Sequence, residues 1–176
     1  MFIEFLTKLT PADTRDLGTL LIECVQAGAS IGFMASLAAD EAEAYWRKVD
    51  GDLPGGSRLI LVAREAPGGR VVGSAQLVLE TRANGRHRAE VQKVMVQPAH
   101  RRRGLAAALM ARIEAAAHAR GVRLLYLDTS EGAGGAMAFY AALGYTYVGG
   151  IPDYALNPDG TPAKNAIYYK TLASGA

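Results

Sequence analysis

The sequence predicts a single α/β domain in which a mixed β-sheet is flanked by helices, and three observations lead to this fold class. Residues 2–9 alternate between apolar and polar side chains well enough to predict a first strand. The apolar runs 59–63 and 71–79 are separated by Pro67-Gly68-Gly69, which predicts a β-hairpin. Residues 88–128 follow a strand–helix–strand order, which favours a parallel pair of strands with the helix packed on one face.

The helices are predicted from apolar spacing and from the residues at their ends. Segment 10–13 indicates a helix start, because it has Pro early and an acidic residue in the first turn, and it is followed at helical spacing by Leu17, Leu20, Leu21 and Val25. A second helix is predicted over 39–49, before the turn Pro54-Gly55-Gly56. A third is predicted over 104–120, where Gly121 is a natural stop.

The remaining predicted elements are a short helix over 137–143 and strands over 88–96, 124–128, 145–148 and 166–172. No repeat, linker or change of composition divides the chain, so all 176 residues are expected to form one domain. In a sheet of this kind the carboxyl ends of the parallel strands are the expected binding crevice.

Composition and charge disfavour several classes of protein. A net charge of +2 is small for a dedicated nucleic-acid-binding domain, which usually carries a strong basic excess on one face. The one cysteine, Cys24, rules out an intrachain disulfide and lies in an apolar helical pattern, so it is expected in the core. The three histidines show no ligand spacing, so no metal site is predicted. Neither a signal peptide nor a membrane-spanning run is recognisable, which favours a cytoplasmic protein without a membrane partner.

The most informative segment for function is 94–106, where a strand enters a basic turn and a helix leaves it. The first backbone N–H groups of a helix have no partner within the helix, so they can receive an anion, which the helix dipole also favours. Small residues let a diphosphate approach the backbone, and arginines add charge-assisted donors. The candidate diphosphate-binding residues are Arg101, Arg102, Arg103, Gly104, Leu105 and Ala106.

The pattern Arg-x-x-Gly-x-Ala is weak by itself, since a basic turn is more often only solvated. The strand before it, the turn marked by Pro98 and the amphipathic helix after it favour a binding site. The segment is not a nucleotide P-loop, because Gly-Lys-Ser/Thr is missing. It is not a Rossmann fingerprint either, because one glycine falls in the turn instead of several.

Two blocks of the sequence resemble the GNAT acetyltransferase superfamily. Arg101, Gly104 and Ala106 match its Gln/Arg-x-x-Gly-x-Gly/Ala motif, and residues 138–145 look like its Phe-Tyr-x-x-Leu-Gly-Phe/Tyr helix and strand. Two blocks in the right order and spacing are far more specific than one. The resemblance implies the GNAT fold, in which a mostly antiparallel sheet contains a splayed parallel pair, and an N-acetyltransferase that uses acetyl-CoA.

Within the superfamily, the chain is similar to the tabtoxin-resistance acetyltransferases over five stretches that are spread along nearly its whole length, at 28–34, 88–93, 127–129, 157–160 and 166–172. Where the superfamily often has an Asn seven residues before the Tyr, this chain has Ala133. The implied acceptor is a small amine such as an amino-acid-like toxin or antibiotic. The sequence leaves open which amine this is and whether the chain forms a dimer.

The resemblance also implies direct transfer in a ternary complex. Backbone N–H groups near Val94, Met95 and Val96 are the implied donors to the thioester oxygen and the pantetheine arm. Tyr140 stands at the position of the family's acid, which would protonate the departing sulfur. A Tyr on an apolar helix face is otherwise usually a core residue with a satisfied hydroxyl.

Glu90 and Asp128 are the candidates for removing the proton of the amine, directly or through water. Strand alternation places Glu90 on the same face as Gln92 and Val94 unless a bulge intervenes, and Asp128 ends the neighbouring strand at the crevice. Either carboxylate could instead be structural, bonded to the backbone or paired with an arginine.

Two functions of different classes remain at this point. The first is a small-molecule N-acetyltransferase, and the second is a non-catalytic acyl-CoA-binding module that senses the cofactor or supports a partner. A pure binder would need only the anion site, so Tyr140 together with Glu90 and Asp128 favours the enzyme. Another metabolite amine is the alternative acceptor, and a nucleic-acid partner is disfavoured by the charge balance.

Overall fold

The computed structural model describes residues 1–131 and 135–173. The strands are β1 (Phe2–Leu6), β2 (Arg58–Arg64), β3 (Val71–Leu79), β4 (Arg88–Val96), β5 (Leu124–Ser130), β6 (Thr146–Gly149), β7 (Ala155–Leu156), β8 (Pro162–Ala163) and β9 (Asn165–Thr171). The α-helices are α1 (Pro11–Gln26), α2 (Ala39–Asp52), α3 (Leu105–His118) and α4 (Ala136–Ala142). Short 3₁₀ turns lie at Leu53–Gly55 and Pro98–His100.

Seven of these strands form one sheet in the order β1-β2-β3-β4-β5-β9-β6. The β4–β5 pair is parallel, and the other neighbouring pairs are antiparallel. The mixed, mostly antiparallel sheet expected from the sequence is therefore confirmed. No helix in the described part of the chain is long and apolar enough to cross a membrane.

The parallel pair separates along its length. Arg88–Glu90 pair with Leu124–Tyr126, but β4 then continues to Val96 and β5 to Ser130 with no further pairing between the two strands. Backbone groups on this side of β4 therefore have no strand partner beyond the paired region. The separation leaves a wedge-shaped gap at the carboxyl ends of the two strands.

A β-bulge interrupts β4 at the start of this gap. Two residues of β4, Lys93 and Val94, face Ala75 alone on β3, and Lys93 has a positive φ of 50°. The extra residue reverses the alternation, so Val94 packs with Val91 against the core on the α3 side. This bulge is the exception that the prediction named, so Val94 does not share the face of Glu90.

Two apolar cores hold the helices against opposite faces of the sheet. Leu109, Met110 and Ile113 of α3 lie in one core, and Leu21 of α1 and Trp46 of α2 lie in the other. All five side chains are fully buried. Burial of each contributes about 1.5–3 kcal/mol, so both helix layers are anchored to the sheet on which the gap opens.

The start of α1 is held by two sets of contacts. Thr10 and Asp13 form a capping box, in which each side chain bonds the backbone of the other residue. The Asp13 carboxylate also pairs with Arg64 at 2.6 Å, and Arg64 pairs with Glu4 at 2.7 Å. The helix start predicted at segment 10–13 is confirmed.

The remaining differences from the sequence predictions lie at element ends and in one hairpin. β1 ends at Leu6 rather than at residue 9, and α2 extends to Asp52 rather than ending at residue 49. The hairpin β7–β8 was not predicted, because two-residue strands carry no alternating pattern. Its turn at 157–160 is closed by a bond from the Asn157 N–H to the Thr161 carbonyl oxygen at 2.8 Å.

Candidate active site

A cleft of about 430 Å³ lies at the gap between β4 and β5. Glu90 and Val94 line it from β4, Asp128 from β5, and Tyr140 from α4, and the segment 27–32 after α1 lines it too. The three predicted catalytic residues thus come together in one cleft, although they are far apart in the sequence. The hairpin β7–β8 contributes further lining residues.

A smaller hollow of about 210 Å³ shares Val94, Arg101 and Tyr140 with the cleft. Met95, Val96 and Ala106 also line it, so most of the predicted cofactor-binding segment reaches one of the two cavities. The side chains of Met95 and Val96 are buried in the cores, and only their backbone groups can therefore meet a ligand.

The start of α3 is open to an anion. Gly104 is the N-cap residue, with a φ of 77°, and no side chain caps the helix there. Apart from its own neighbours in the chain, no atom lies within 4 Å of the place where a Cβ at Gly104 would stand. The first N–H groups of α3 are thus accessible, which fits the diphosphate site expected there. Leu105 contributes only its backbone, because its side chain is buried in the core.

The three arginines differ in their surroundings. Arg101 lines both cavities, and its Nε donates to the Val96 carbonyl oxygen at 3.2 Å. Arg102 and Arg103 are exposed on the loop before α3, and Arg102 has a positive φ of 61°. Neither Arg102 nor Arg103 lines the cleft or the smaller hollow. Arg101 is therefore the arginine that the fold places at the cleft.

Tyr140 combines a core position with access to both cavities. Its ring centroid lies 5.8 Å from those of Tyr145 and Tyr168, and the residue is 8% exposed. Burial, followed by the nearby charge of Asp128, raises the pKa of the Tyr140 phenol well above its usual range. The hydroxyl is thus protonated at neutral pH. Ala133, where the family often has an Asn, lies outside the described residues.

Cys24 also lines the smaller hollow, but its environment favours the structural role expected for it. The residue is buried, and its Sγ lies 3.5 Å from the Val96 carbonyl oxygen as a donor. Burial raises the pKa of the Cys24 thiol, which disfavours the nucleophilic thiolate.

Lys93 is a site residue that was not predicted from the sequence. It lines the cleft beside Glu90, and its Nζ lies 5.7 Å from the ring centroids of both Phe33 and Tyr45. Burial lowers the pKa of Lys93, and the charges of Asp128 and Glu90 oppose this effect only in part. The sequence did contain one signal for this residue. Strict alternation assigns Lys93 to the apolar face of β4, and a lysine is unexpected on that face.

A polar network holds Tyr45, one of the two rings beside Lys93. Arg58 Nη1 donates to the Gln76 side-chain oxygen at 2.5 Å, and Gln76 Nε2 donates to the Tyr45 hydroxyl at 3.2 Å. Gln76 is fully buried between them. Tyr45 is therefore held in one orientation beside Lys93.

Comparison with known families identifies the protein. The acetyltransferase (GNAT) family model matches residues 19–145, which is most of the chain. The chain belongs to this family. An N-acetyltransferase from the hisH-hisA intergenic region of Azospirillum brasilense is 35% identical to this GNAT acetyltransferase over 131 residues, covering 73% of this chain and 75% of the relative.

Solved structures share the fold of this GNAT acetyltransferase at lower identity. Ribosomal-protein-alanine N-acetyltransferase from Brucella melitensis superposes with a TM-score of 0.80 at 21% identity, covering 98% of this chain and 100% of that one. Phosphinothricin acetyltransferase from Sinorhizobium meliloti, solved in complex with acetyl-CoA, gives 0.77 at 20% identity, covering 100% of this chain and 91% of that one. The GNAT fold and the acyltransferase class expected from the sequence are confirmed. Acetyl-CoA as the acetyl donor, also expected from the sequence, is confirmed too.

Proposed function

We propose that this acetyltransferase transfers an acetyl group from acetyl-CoA directly to a small amine in a ternary complex. The observation that carries the proposal is the meeting of Glu90, Asp128 and Tyr140 in one cleft, which shares Tyr140 with the smaller hollow that Ala106 of α3 lines. Acetyl-CoA supplies the reactive thioester. The diphosphate would be held by the N–H groups after Gly104 and by Arg101, the arginine at the cleft.

The residues of the cleft have separate roles in the proposal. Glu90 or Asp128 takes a proton from the attacking amine, directly or through water. Backbone N–H groups near Val94, on the unpaired side of β4, donate hydrogen bonds to the oxygen on which negative charge develops. Tyr140, whose phenol is protonated at neutral pH, gives its proton to the departing sulfur.

The acceptor is an amino-acid-like amine, in the manner of the tabtoxin-resistance acetyltransferases. The support is the sequence similarity over five separate stretches, and the two carboxylates in the cleft, which suit a cationic amine. Carboxylates alone would also suit a polyamine, so the resemblance carries most of the weight. A different metabolite amine remains the alternative acceptor, because a few pocket residues can change the acceptor specificity.

A non-catalytic acyl-CoA-binding module is the second candidate. Such a module would need the open start of α3 but would have no use for a proton donor and two carboxylates in the adjoining cleft. The enzyme is therefore favoured.

Release of free thiol from acetyl-CoA tests the proposal across a panel of amino acids, β-lactam toxins, aminoglycosides, polyamines and peptides, ranked by kcat/KM. We expect amino-acid-like amines to lead. A polyamine or a peptide N-terminus that leads by orders of magnitude would refute the proposed acceptor. Acetyl-CoA binding without thiol release for any amine would support the binding module.

A further inference from the structure

We infer that Lys93 is a specificity-determining residue that binds a carboxylate of the acceptor, so that the substrate class is an α-amino acid rather than a simple amine. The inference rests on the proposed function, since it takes the reacting amine to lie near Glu90 and Asp128. Glu90 and Asp128 act on the reacting amine in this proposal, whereas Lys93 recognises the carboxylate next to that amine.

The backbone directs Lys93 into the cleft. Its position in the β4 bulge takes its side chain out of the alternation that would otherwise bury it among apolar residues. The Ser74 hydroxyl donates to the Lys93 carbonyl oxygen at 3.3 Å, and Ser74 is fully buried. A positive φ at a residue other than glycine costs about 1–2 kcal/mol, and such conformations cluster at functional sites.

Aromatic rings hold the ammonium group at the wall of the cleft. Nζ is 5.7 Å from both ring centroids, and the rings of Phe33 and Tyr45 pack edge to face at 5.3 Å. A Cβ at Gly32 would lie 3.6 Å from Nζ, so the loop after α1 also approaches the ammonium closely. Cation–π contacts stabilise the charge but provide no counter-ion.

The charges nearby do not neutralise Lys93. Within residues 1–131 and 135–173, no carboxylate oxygen lies within 4.0 Å of Lys93 Nζ, whereas Lys164 in the same cleft pairs with Glu131 at 2.9 Å. A largely buried cation without a direct partner is unfavourable, and a ligand carboxylate would relieve that. Lys93, together with the Glu90 and Asp128 carboxylates in the same cleft, complements the carboxylate and the ammonium of an amino acid.

Lys93 could instead act only on the electrostatics of Glu90 and Asp128. That role would affect every amine alike, whereas carboxylate binding affects only acceptors that carry a carboxylate. Pairs of acceptors that differ in this single group therefore separate the two roles.

The experiment compares kcat/KM for L-threonine, L-methionine and L-tyrosine with that for their α-carboxamides. We expect the wild type to prefer the acid of each reactive pair by about 10- to 100-fold, the range for a hydrogen bond to a charged group. Lys93→Met should bring the ratio of kcat/KM for the acid to that for the amide close to one, mainly by raising KM for the acid. Lys93→Arg keeps a positive charge and should therefore retain part of the wild-type preference for the acid. Lys164→Met, the matched control, should keep the wild-type ratio.

A wild-type ratio near one, or an equal loss for acids and amides in Lys93→Met, would overturn the inference. Calorimetric binding of N-acetyl-L-threonine and N-acetyl-L-threoninamide provides a second test that needs no turnover. If the wild type binds the acid more tightly than the amide and Lys93→Met loses this preference, the inference is supported. This holds even if no amine is acetylated, a result that would refute only the proposed function. Equal binding of the two compounds overturns it.

Discussion

The buried hydroxyl of Ser74 donates a 3.3 Å hydrogen bond to the carbonyl oxygen of Lys93, the bulge residue that turns the end of β4 into the cleft. This contact links a core position of β3 to the shape of the site. We expect Ser74→Ala to lower the free energy of unfolding by about 1–3 kcal/mol, because the Lys93 carbonyl loses its buried partner.

Urea unfolding measures this change, and Ser36→Ala is the matched control, since Ser36 is exposed. The control should stay within about 0.5 kcal/mol of the wild type. An equal effect of both substitutions would mean that the Ser74 contact contributes nothing specific to stability.

Gly104 allows a direct test of the anion site at the start of α3. Its positive φ means that any side chain adds about 1–2 kcal/mol of backbone strain, although the space around it is open. Gly104→Glu adds the same strain plus a carboxylate that repels a diphosphate, so we expect it to abolish acetyl-CoA binding by calorimetry. Gly104→Ala is the control for strain, and it should keep measurable affinity. Unchanged affinity in Gly104→Glu would place the diphosphate elsewhere.

Tyr140→Phe tests the proposed acid. Turnover should fall by about 10²- to 10⁴-fold, as for a lost general acid, with little change in acetyl-CoA affinity. Because the pKa of Tyr140 is raised, any loss of activity from its deprotonation should appear only above the pH of about 10 at which an ordinary tyrosine titrates. Near-normal turnover, measured where chemistry limits the rate, would leave Tyr140 as a core residue.

The ion pair between Asp13 and Arg64 predicts the behaviour at low pH. Burial raises the pKa of the Asp13 carboxyl, but the hydrogen bonds from Arg64 and Thr10 outweigh burial, and the net pKa is lowered. Its contribution to stability is therefore present above the unfolded pKa of about 3.9 and is lost as pH falls through the lower folded value.

Asp13→Asn should flatten this part of the stability-pH profile, and Asp13→Ala should cost about 3–5 kcal/mol at pH 7 by leaving Arg64 partly unpaired. Chemical unfolding between pH 2 and 7 measures both effects. An unchanged acid limb in Asp13→Asn would assign the acid sensitivity to other carboxylates.

The sequence by itself determined the elements and the family. Apolar spacing located α1 and α3, Thr10 with Pro11 marked the start of α1, and local motifs around Gly104 and Tyr140 indicated an acetyltransferase. These signals are readable because they depend on the residues within one turn or one strand. The fold class follows from their order, since a strand–helix–strand unit favours a parallel pair.

Only the tertiary structure decided how the site is assembled. The bulge at Lys93 depends on the register between β3 and β4, and the gap beside it depends on where β4 and β5 stop pairing. Register is a relation between strands, and a single extra residue reverses which face a side chain takes. That reversal moves Val94 off the face of Glu90. Tertiary packing places Lys93 beside the rings of Phe33 and Tyr45, and no local sequence pattern encodes that contact.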